Sequence, residues 1–364
     1  MDELMLNILN TYYMLGLWEG LSPVHTFFRD RYFPTEAGDI YAADKVLVEY
    51  RDGDHNMAPF MVESAEPIPV GRIGYEIHDY SPTKLAQSCP LTLDDLRKRG
   101  FGEAILTNLN EADRATRLVM EDIARLERRF IRSEEWLCAQ TLINNGFSVD
   151  EMIDKDTVGN IASIKYYDPS KGNDGMYTVS TKWDANGMTF RGIVADVRAI
   201  CRGLAQRGLA HTDLLVGVDV ADVLMNNADF RELIKTQSGI MISSGIEEQL
   251  TAYDGVTTLG VINFAGNRLN VICVDEQYKN EHGVTSNYFP AKSIAITAPN
   301  AGHLMYAHIT HLDANGDFST IAAQRVPDLF VNRKTKTREM ILESRPLAAP
   351  KNYSPWVYAA NVVN

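Results

Sequence analysis

Residues 111–145 read EADRATRLVMEDIARLERRFIRSEEWLCAQTLINN. Ala115, Val119, Ile123, Leu126, Phe130, Leu137 and Leu142 recur there at close to whole helical turns, which predicts one continuous amphipathic helix. Asn110 is placed to cap its start, and Gly146 to close it in the left-handed conformation. At 1.5 Å per residue such a helix is about 50 Å long, far beyond the usual three turns. Its other face carries Asp113 before Arg117 and Glu121 before Arg125 in the favourable i,i+4 order, and is expected to be solvated. Adjacent carboxylates on a helix splay by about 100°, so Glu134/Glu135, like Asp94/Asp95, read as surface charges rather than an acid and base pair.

Upstream, Leu4, Ile8, Tyr12 and Leu15 mark a short amphipathic helix, broken by Gly16 and Gly20. From Ser22 to about Tyr50 come Phe27, Phe28, Tyr32, Phe33 and Tyr41 without sustained periodicity, which predicts an extended arm lying on another surface. Residues 57–93 are strand-like, with Ile73, Tyr75 and Ile77 alternating against polar residues and with prolines that confine strands to edges. A lone hairpin of this kind is marginal in water, so it needs a partner surface.

Downstream, Ala162–Tyr167 and Tyr177–Lys182 read as two strands joined by a turn-rich loop. Residues 191–208 fit a helix with Ile193, Val197, Ile200 and Leu204 on one face. Strand Leu214–Val218, a helix near Val220–Asn226, and strands Thr257–Phe264, Leu269–Val274 and Ser293–Thr297 complete an α/β unit of domain size. Strands return at Leu304–Ile309, Arg325–Val331 and Arg338–Glu343, the last two flanking a basic turn that contains Arg333, Lys334 and Lys336. One unit therefore reads as inserted within a second, elongated one.

The 364 residues are 45% hydrophobic and 23% charged, enough to bury a sizeable core, and the net charge of −13 argues against a protein that wraps nucleic acid through a basic surface. Cys89, Cys138, Cys201 and Cys273 lie far apart with no CxxC, and read as small hydrophobes in a reducing cytosol rather than a disulfide or zinc framework. The acidic opening Met1-Asp2-Glu3 does not fit a signal peptide, and no apolar run is long enough to span a membrane. The common phosphate-loop, dinucleotide, nucleophile-elbow and metalloprotease patterns are missing, so no catalytic residue, metal or cofactor is assigned. His303, His308 and His311 are close in sequence, but strand alternation sets His303 opposite His308, which makes surface or interface roles the default. Asp313, Asn315 and Asp317 suggest a calcium loop, yet Gly316 stands off the required position and a hairpin turn fits better.

Three stretches together carry a resemblance: Phe27-Phe28-Arg29-Asp30-Arg31-Tyr32-Phe33, then Ile131-Arg132-Ser133-Glu134-Glu135-Trp136-Leu137-Cys138-Ala139-Gln140, and Val326-Pro327-Asp328-Leu329-Phe330 with Ser344-Arg345-Pro346-Leu347 through Trp356. In their order and spacing the chain resembles the lambda-type major capsid (head) protein family of tailed bacteriophages over nearly its whole length. The resemblance implies an α+β Hong Kong 97-type capsid fold: an N-terminal arm (1–50), an extended β-hairpin loop (51–95), a peripheral domain with a long spine helix (96–190), an inserted α/β axial domain (191–300), and a return to the peripheral domain (301–364). It implies self-assembly as hexamers and pentamers into an icosahedral shell enclosing double-stranded DNA, in a virion assembled in the host cytoplasm.

Expected partners are the chain itself, a scaffolding protein, a portal, an optional decoration protein, and DNA through weak non-specific contact. Because the chain starts close to the arm, a separate scaffolding protein is expected. Phe28, Phe33, Tyr75 and Ile77 are the candidate inter-subunit contacts, and Arg333, Lys334 and Lys336 the candidate DNA-facing turn. An acidic inner surface would keep packaged DNA mobile. Lys84 lies on the loop, but no motif identifies a covalent crosslinking trio. The competing readings are an encapsulin-like protein compartment, which shares the fold, and a two-domain enzyme using the 191–300 unit.

Overall fold

A computed structural model describes residues 26–51, 75–92, 111–154, 157–167, 174–232, 255–264, 266–280, 283–312, 318–332 and 337–364. The aromatic stretch expected to be an extended arm is instead helix α1 (Phe27–Tyr32), with Phe27, Phe28, Tyr32 and Phe33 all fully buried. Strand β1 (Val46–Arg51), assigned by sequence to the arm, pairs antiparallel with β2 (Tyr75–Tyr80). That ribbon has two distinct faces: Val46 and Val48 are buried, whereas Leu47 and Ile77 are half exposed on the other side. Strand β3 (Leu85–Leu91) does not pair with β2, and much of the expected extended loop (51–95) lies outside the described residues. Strand β3 occupies the edge of another sheet, a position that tolerates Pro90.

The long helix is present as α2 (Glu111–Asn144, 34 residues); the proposed cap Asn110 lies outside the described residues. At its C-terminal end, the left-handed position falls on Asn145 (φ 49°) and not on Gly146. The Asn145 side chain donates to Ser354 Oγ at 2.5 Å and to the Asp174 carbonyl at 3.3 Å, which fixes the turn. Gly146 opens β4 (Gly146–Asp154), where a Cβ would stand 2.3 Å from the Ile164 carbonyl of the paired β5 (Thr157–Lys165). The glycine is required by strand approach rather than by the helix cap. Residues 177–182 form no strand; Met176 makes a single bridge to Tyr358, so the chain crosses there instead of turning back on β5.

Helix α3 (Phe190–Gln206), β6 (Asp213–Val216), α4 (Val218–Asn226), β7 (Val256–Phe264) and β8 (Asn267–Val274) follow closely the order read from the sequence. After β9 (Gln277–Lys279) and β10 (Thr285–Asn287) comes β11 (Ile294–Thr297). Strands β12 (Gly302–Tyr306), β13 (Ile309–Leu312), β14 (Phe318–Ile321), β15 (Val326–Asn332), β16 (Thr337–Ser344), β17 (Pro346–Pro350) and β18 (Val357–Ala359) complete the chain. The five-stranded sheet runs β18-β11-β6-β8-β7, with β6 and β8 parallel. Its core holds Ile193, Val197, Ile200 and Leu204, and also Trp183, Val357, Val362 and Val363. This unit therefore draws on residues beyond 191–300, because β18 supplies its edge.

The second architectural half is organised by α2. Its first half packs Val119, Ile123, Leu126 and Phe130 beneath the sheet β15-β16-β3, against Leu91, Met340 and Leu342. Its second half enters the largest core through Leu137, Cys138, Leu142 and Ile143, with Phe28, Tyr306, Leu347 and Trp356. Strands β13 and β14 pair as the hairpin expected around Asn315-Gly316, although residues 313–317 lie outside the described set.

Candidate assembly surfaces

Glu134 and Glu135 are not surface charges: both are completely buried. The 100° splay holds, but α2 is covered on both sides at this level, so each carboxylate enters a different interior site. Glu134 accepts hydrogen bonds from Arg325 Nη1 at 2.6 Å, Arg325 Nη2 at 2.9 Å and Tyr306 Oη at 2.9 Å, while Arg325 Nε donates to Glu127 at 2.9 Å. Burial alone would raise the Glu134 carboxyl; Arg325 outweighs it and holds the group below its usual range.

Glu135 has no such cation among the described residues. Its two oxygens accept the backbone N–H groups of Phe28 (2.6 Å) and Arg29 (2.8 Å), at the start of α1. Burial, reinforced by Glu276, pushes it up to about 8 against the pull of those two donors. At the other end of α1, the buried Asp213 of β6 accepts from Arg31 Nε at 2.7 Å and Tyr32 Oη at 3.0 Å, and from Asn270 Nδ2 at 3.0 Å. A helix of six residues is thus tied at its start to α2 and at its end to the five-stranded sheet.

This arrangement corrects two of the sequence-based contacts. Phe28 and Phe33 lie at 0% exposure within their own subunit: Phe28 packs against Phe27 and Phe289, and Phe33 against Trp356. Neither ring has surface left for a neighbour. Ile77 remains available at 51% exposure, beside Leu47 at 50%; the Tyr75 side chain lies outside the described residues. Arg333, Lys334 and Lys336 also lie outside them, between the paired strands β15 and β16. Lys84 forms an ion pair with Glu343 at 2.6 Å.

The histidines are not brought to one site: Nδ1 of His303 lies 3.3 Å from Asp39, whereas His311 bonds Ser319 Oγ at 2.9 Å. Among the described residues no cluster of side chains suits a metal ion, and no helix is long and apolar enough to cross a membrane.

Sequence periodicity missed several exposed apolar residues that the fold sets on projecting ribbons. Phe318, at 82% exposure, stands at the outer end of the β13–β14 hairpin. On β4–β5, Phe147, Val149 and Ile164 pack at the base, while Ile153, Val158 and Ile161 are exposed farther out. A two-stranded ribbon of this kind buries little by itself, and its outer half leaves apolar side chains exposed. The signal was present in the sequence as β-branched residues among acids, with no local cue to which half would lie uncovered.

No curated protein matches the sequence. A crystal structure of a prophage protein from Escherichia coli CFT073, described as its capsid protein, superposes with a TM-score of 0.67 at 16% identity, covering 97% of this chain and 99% of that one. A phage-related protein from Bordetella bronchiseptica RB50 gives 0.51 at 10% identity, with 95% of each chain covered. These likenesses establish the Hong Kong 97-type α+β fold. The family model described as phage major capsid protein E matches residues 10–361. A long spine helix, an α/β unit set into an elongated one, and ribbons with exposed apolar residues agree with that match: the chain belongs to the phage major capsid protein E family, the structural proteins of tailed-phage capsids.

Proposed function

We propose that the chain assembles as hexamers and pentamers into an icosahedral shell around double-stranded DNA, with the five-stranded-sheet unit as the axial domain and the α2 unit as the peripheral one. The observation that carries this reading, beyond family membership, is the set of ribbons whose apolar residues stay half exposed or more: Leu47 and Ile77, Phe318, and Ile153, Val158 and Ile161. Each fully buried side chain of this size contributes about 1.5–3 kcal/mol. Several weak contacts per interface, repeated around a closed shell, suffice for stability while leaving each pair reversible. Assembly in the host cytoplasm, with a scaffolding protein, a portal and optional decoration, follows the same reading, and the contact with DNA is weak and non-specific.

The test is expression of the full chain alone and with candidate scaffolding partners, followed by sedimentation and negative-stain microscopy. Closed particles support the reading. A monomer or dimer at every concentration and with every partner would overturn it.

A further inference from the structure

From Glu127 to Glu135 the sequence of α2 is balanced, with three glutamates and three arginines. The fold separates them. Glu127, Glu134 and Glu135 are buried, and the first two are compensated internally by Arg325. Arg128, Arg129 and Arg132 are left exposed, and none of the three has an ion pair among the described residues. They stand at i,i+3 and i,i+4 spacing on one side of the helix, where like charges oppose helix formation. Arg125, one turn earlier, differs in being paired with Asp122. On a chain of net charge −13, this strip is a local concentration of positive charge that no ion pair among the described residues neutralises.

A second uncovered surface has the opposite sign. The outer part of β4 carries Asp150, Glu151 and Asp154, and the paired part of β5 (Thr157–Ile161) carries no charged residue. Asp150 and Glu151 are exposed; Glu151 accepts from Asn160 Nδ2 at 3.3 Å, and neither has a cationic partner among the described residues. Exposed Ile153, Val158 and Ile161 lie between these acids.

We propose that the arginine strip of one copy receives the outer β4–β5 ribbon of a neighbouring copy. The carboxylates of the ribbon meet the guanidinium groups, and the arginine stems cover the isoleucine and valine side chains, a double role for which arginine is suited. A charge of +3 against −3 gives electrostatic complementarity, and two different patches on one chain make a head-to-tail contact, the type that propagates until it closes. This contact deepens, and rests on, the self-assembly reading above.

Charge reversal tests it. The variant R128E/R129E/R132E and the variant D150K/E151K/D154K are each compared with the wild-type chain for folding by circular dichroism and for shell yield by sedimentation. Each keeps its fold, and each loses shell yield at least about tenfold, because like charges are now juxtaposed across the contact. Combining all six substitutions in one chain restores opposite charges and recovers assembly. Where a reversal does not fold, R128Q/R129Q/R132Q gives the same readout with a smaller loss. The proposal is overturned if the strip reversal assembles normally, or if the combined variant stays as defective as its parents. It is equally overturned if reversal leaves shells intact and lowers only the nucleic acid they retain, which would assign the strip to phosphates. A wild-type chain that never assembles would instead defeat the self-assembly reading itself.

Discussion

Replacing Arg325 with methionine probes the buried network that joins α2 to the chain entering β15. The guanidinium is 1% exposed; it donates to Glu127 and twice to Glu134, reaches Ser344 Oγ at 3.1 Å, and lies over the Phe130 and Tyr306 rings. Methionine fills much of the same volume but strips compensation from a fully buried carboxylate. Breaking one partner out of such a pair costs about 3–5 kcal/mol. Arg29 Nε at 3.5 Å and Tyr306 Oη at 2.9 Å stay beside Glu134, so the lower end, about 3 kcal/mol, is expected. The pH dependence gives an independent signature. In the wild type Glu134 is held below its unfolded value, so its stabilisation is present above about pH 4.3 and is lost as pH falls through the folded value. In R325M burial acts unopposed by Arg325 and raises the group, so the deficit is largest at neutral pH and shrinks toward pH 4. Urea unfolding of the unassembled subunit, followed by far-ultraviolet circular dichroism at pH 7 and pH 4.5, measures both effects. A loss under about 1 kcal/mol, the range of an exposed ion pair, or a deficit unchanged at the lower pH, refutes the reasoning.

F28A removes a fully buried ring and is expected to cost about 3–5 kcal/mol in subunit stability, whereas I77D, at a half-exposed site, shifts stability by about 0.5 kcal/mol or less and lowers shell yield; thermal unfolding and sedimentation separate the two. For Glu135, raised to about 8 in the fold against about 4.3 unfolded, the native state holds a proton that the unfolded state has released. Its contribution is therefore complete below the unfolded value and declines as pH rises to about 8, so thermal midpoints of the wild type fall over this window relative to E135Q; parallel profiles would contradict the assignment. In G146A the new Cβ meets the Ile164 carbonyl at a φ of +156°, and a loss of more than about 1 kcal/mol is expected, with faster amide exchange along β4–β5; unchanged exchange would count against the close approach.

What the sequence made legible was whatever local periodicity encodes. The spine helix and the elements α3, β6, α4, β7, β8 and β11 lie within a few residues of their expected bounds, because each buries a single continuous stripe, whereas the short strands β9 and β10 were not foreseen. The failures share one cause, a side chain whose environment is set by segments remote in the chain. Glu134 reads as a solvated charge until Arg325, 191 residues away, is placed on it, and Glu135 until the N–H groups of α1 arrive from 106 and 107 residues away. The aromatic stretch looked like an arm in need of a neighbour, yet its cover came from within: Trp356 for Phe33, Phe289 for Phe28, and Asp213 for Tyr32.

Burial of those acids also has a consequence for assembly. Between Glu127 and Glu135, a stretch balanced in charge leaves, of its charged residues, only the arginines exposed, because the fold has consumed the glutamates. The subunit's surface charge pattern is thus an outcome of its internal ion pairing. A substitution such as R325M, chosen to perturb stability, should therefore leave the strip Arg128-Arg129-Arg132 in place as long as α2 holds its register. Shells formed by R325M at low temperature would then keep the wild-type salt dependence, while R128E/R129E/R132E would lose assembly at unchanged stability. Should the two variants fail in the same way, burial and surface charge would not be separable and the division drawn here between core and contact would be false.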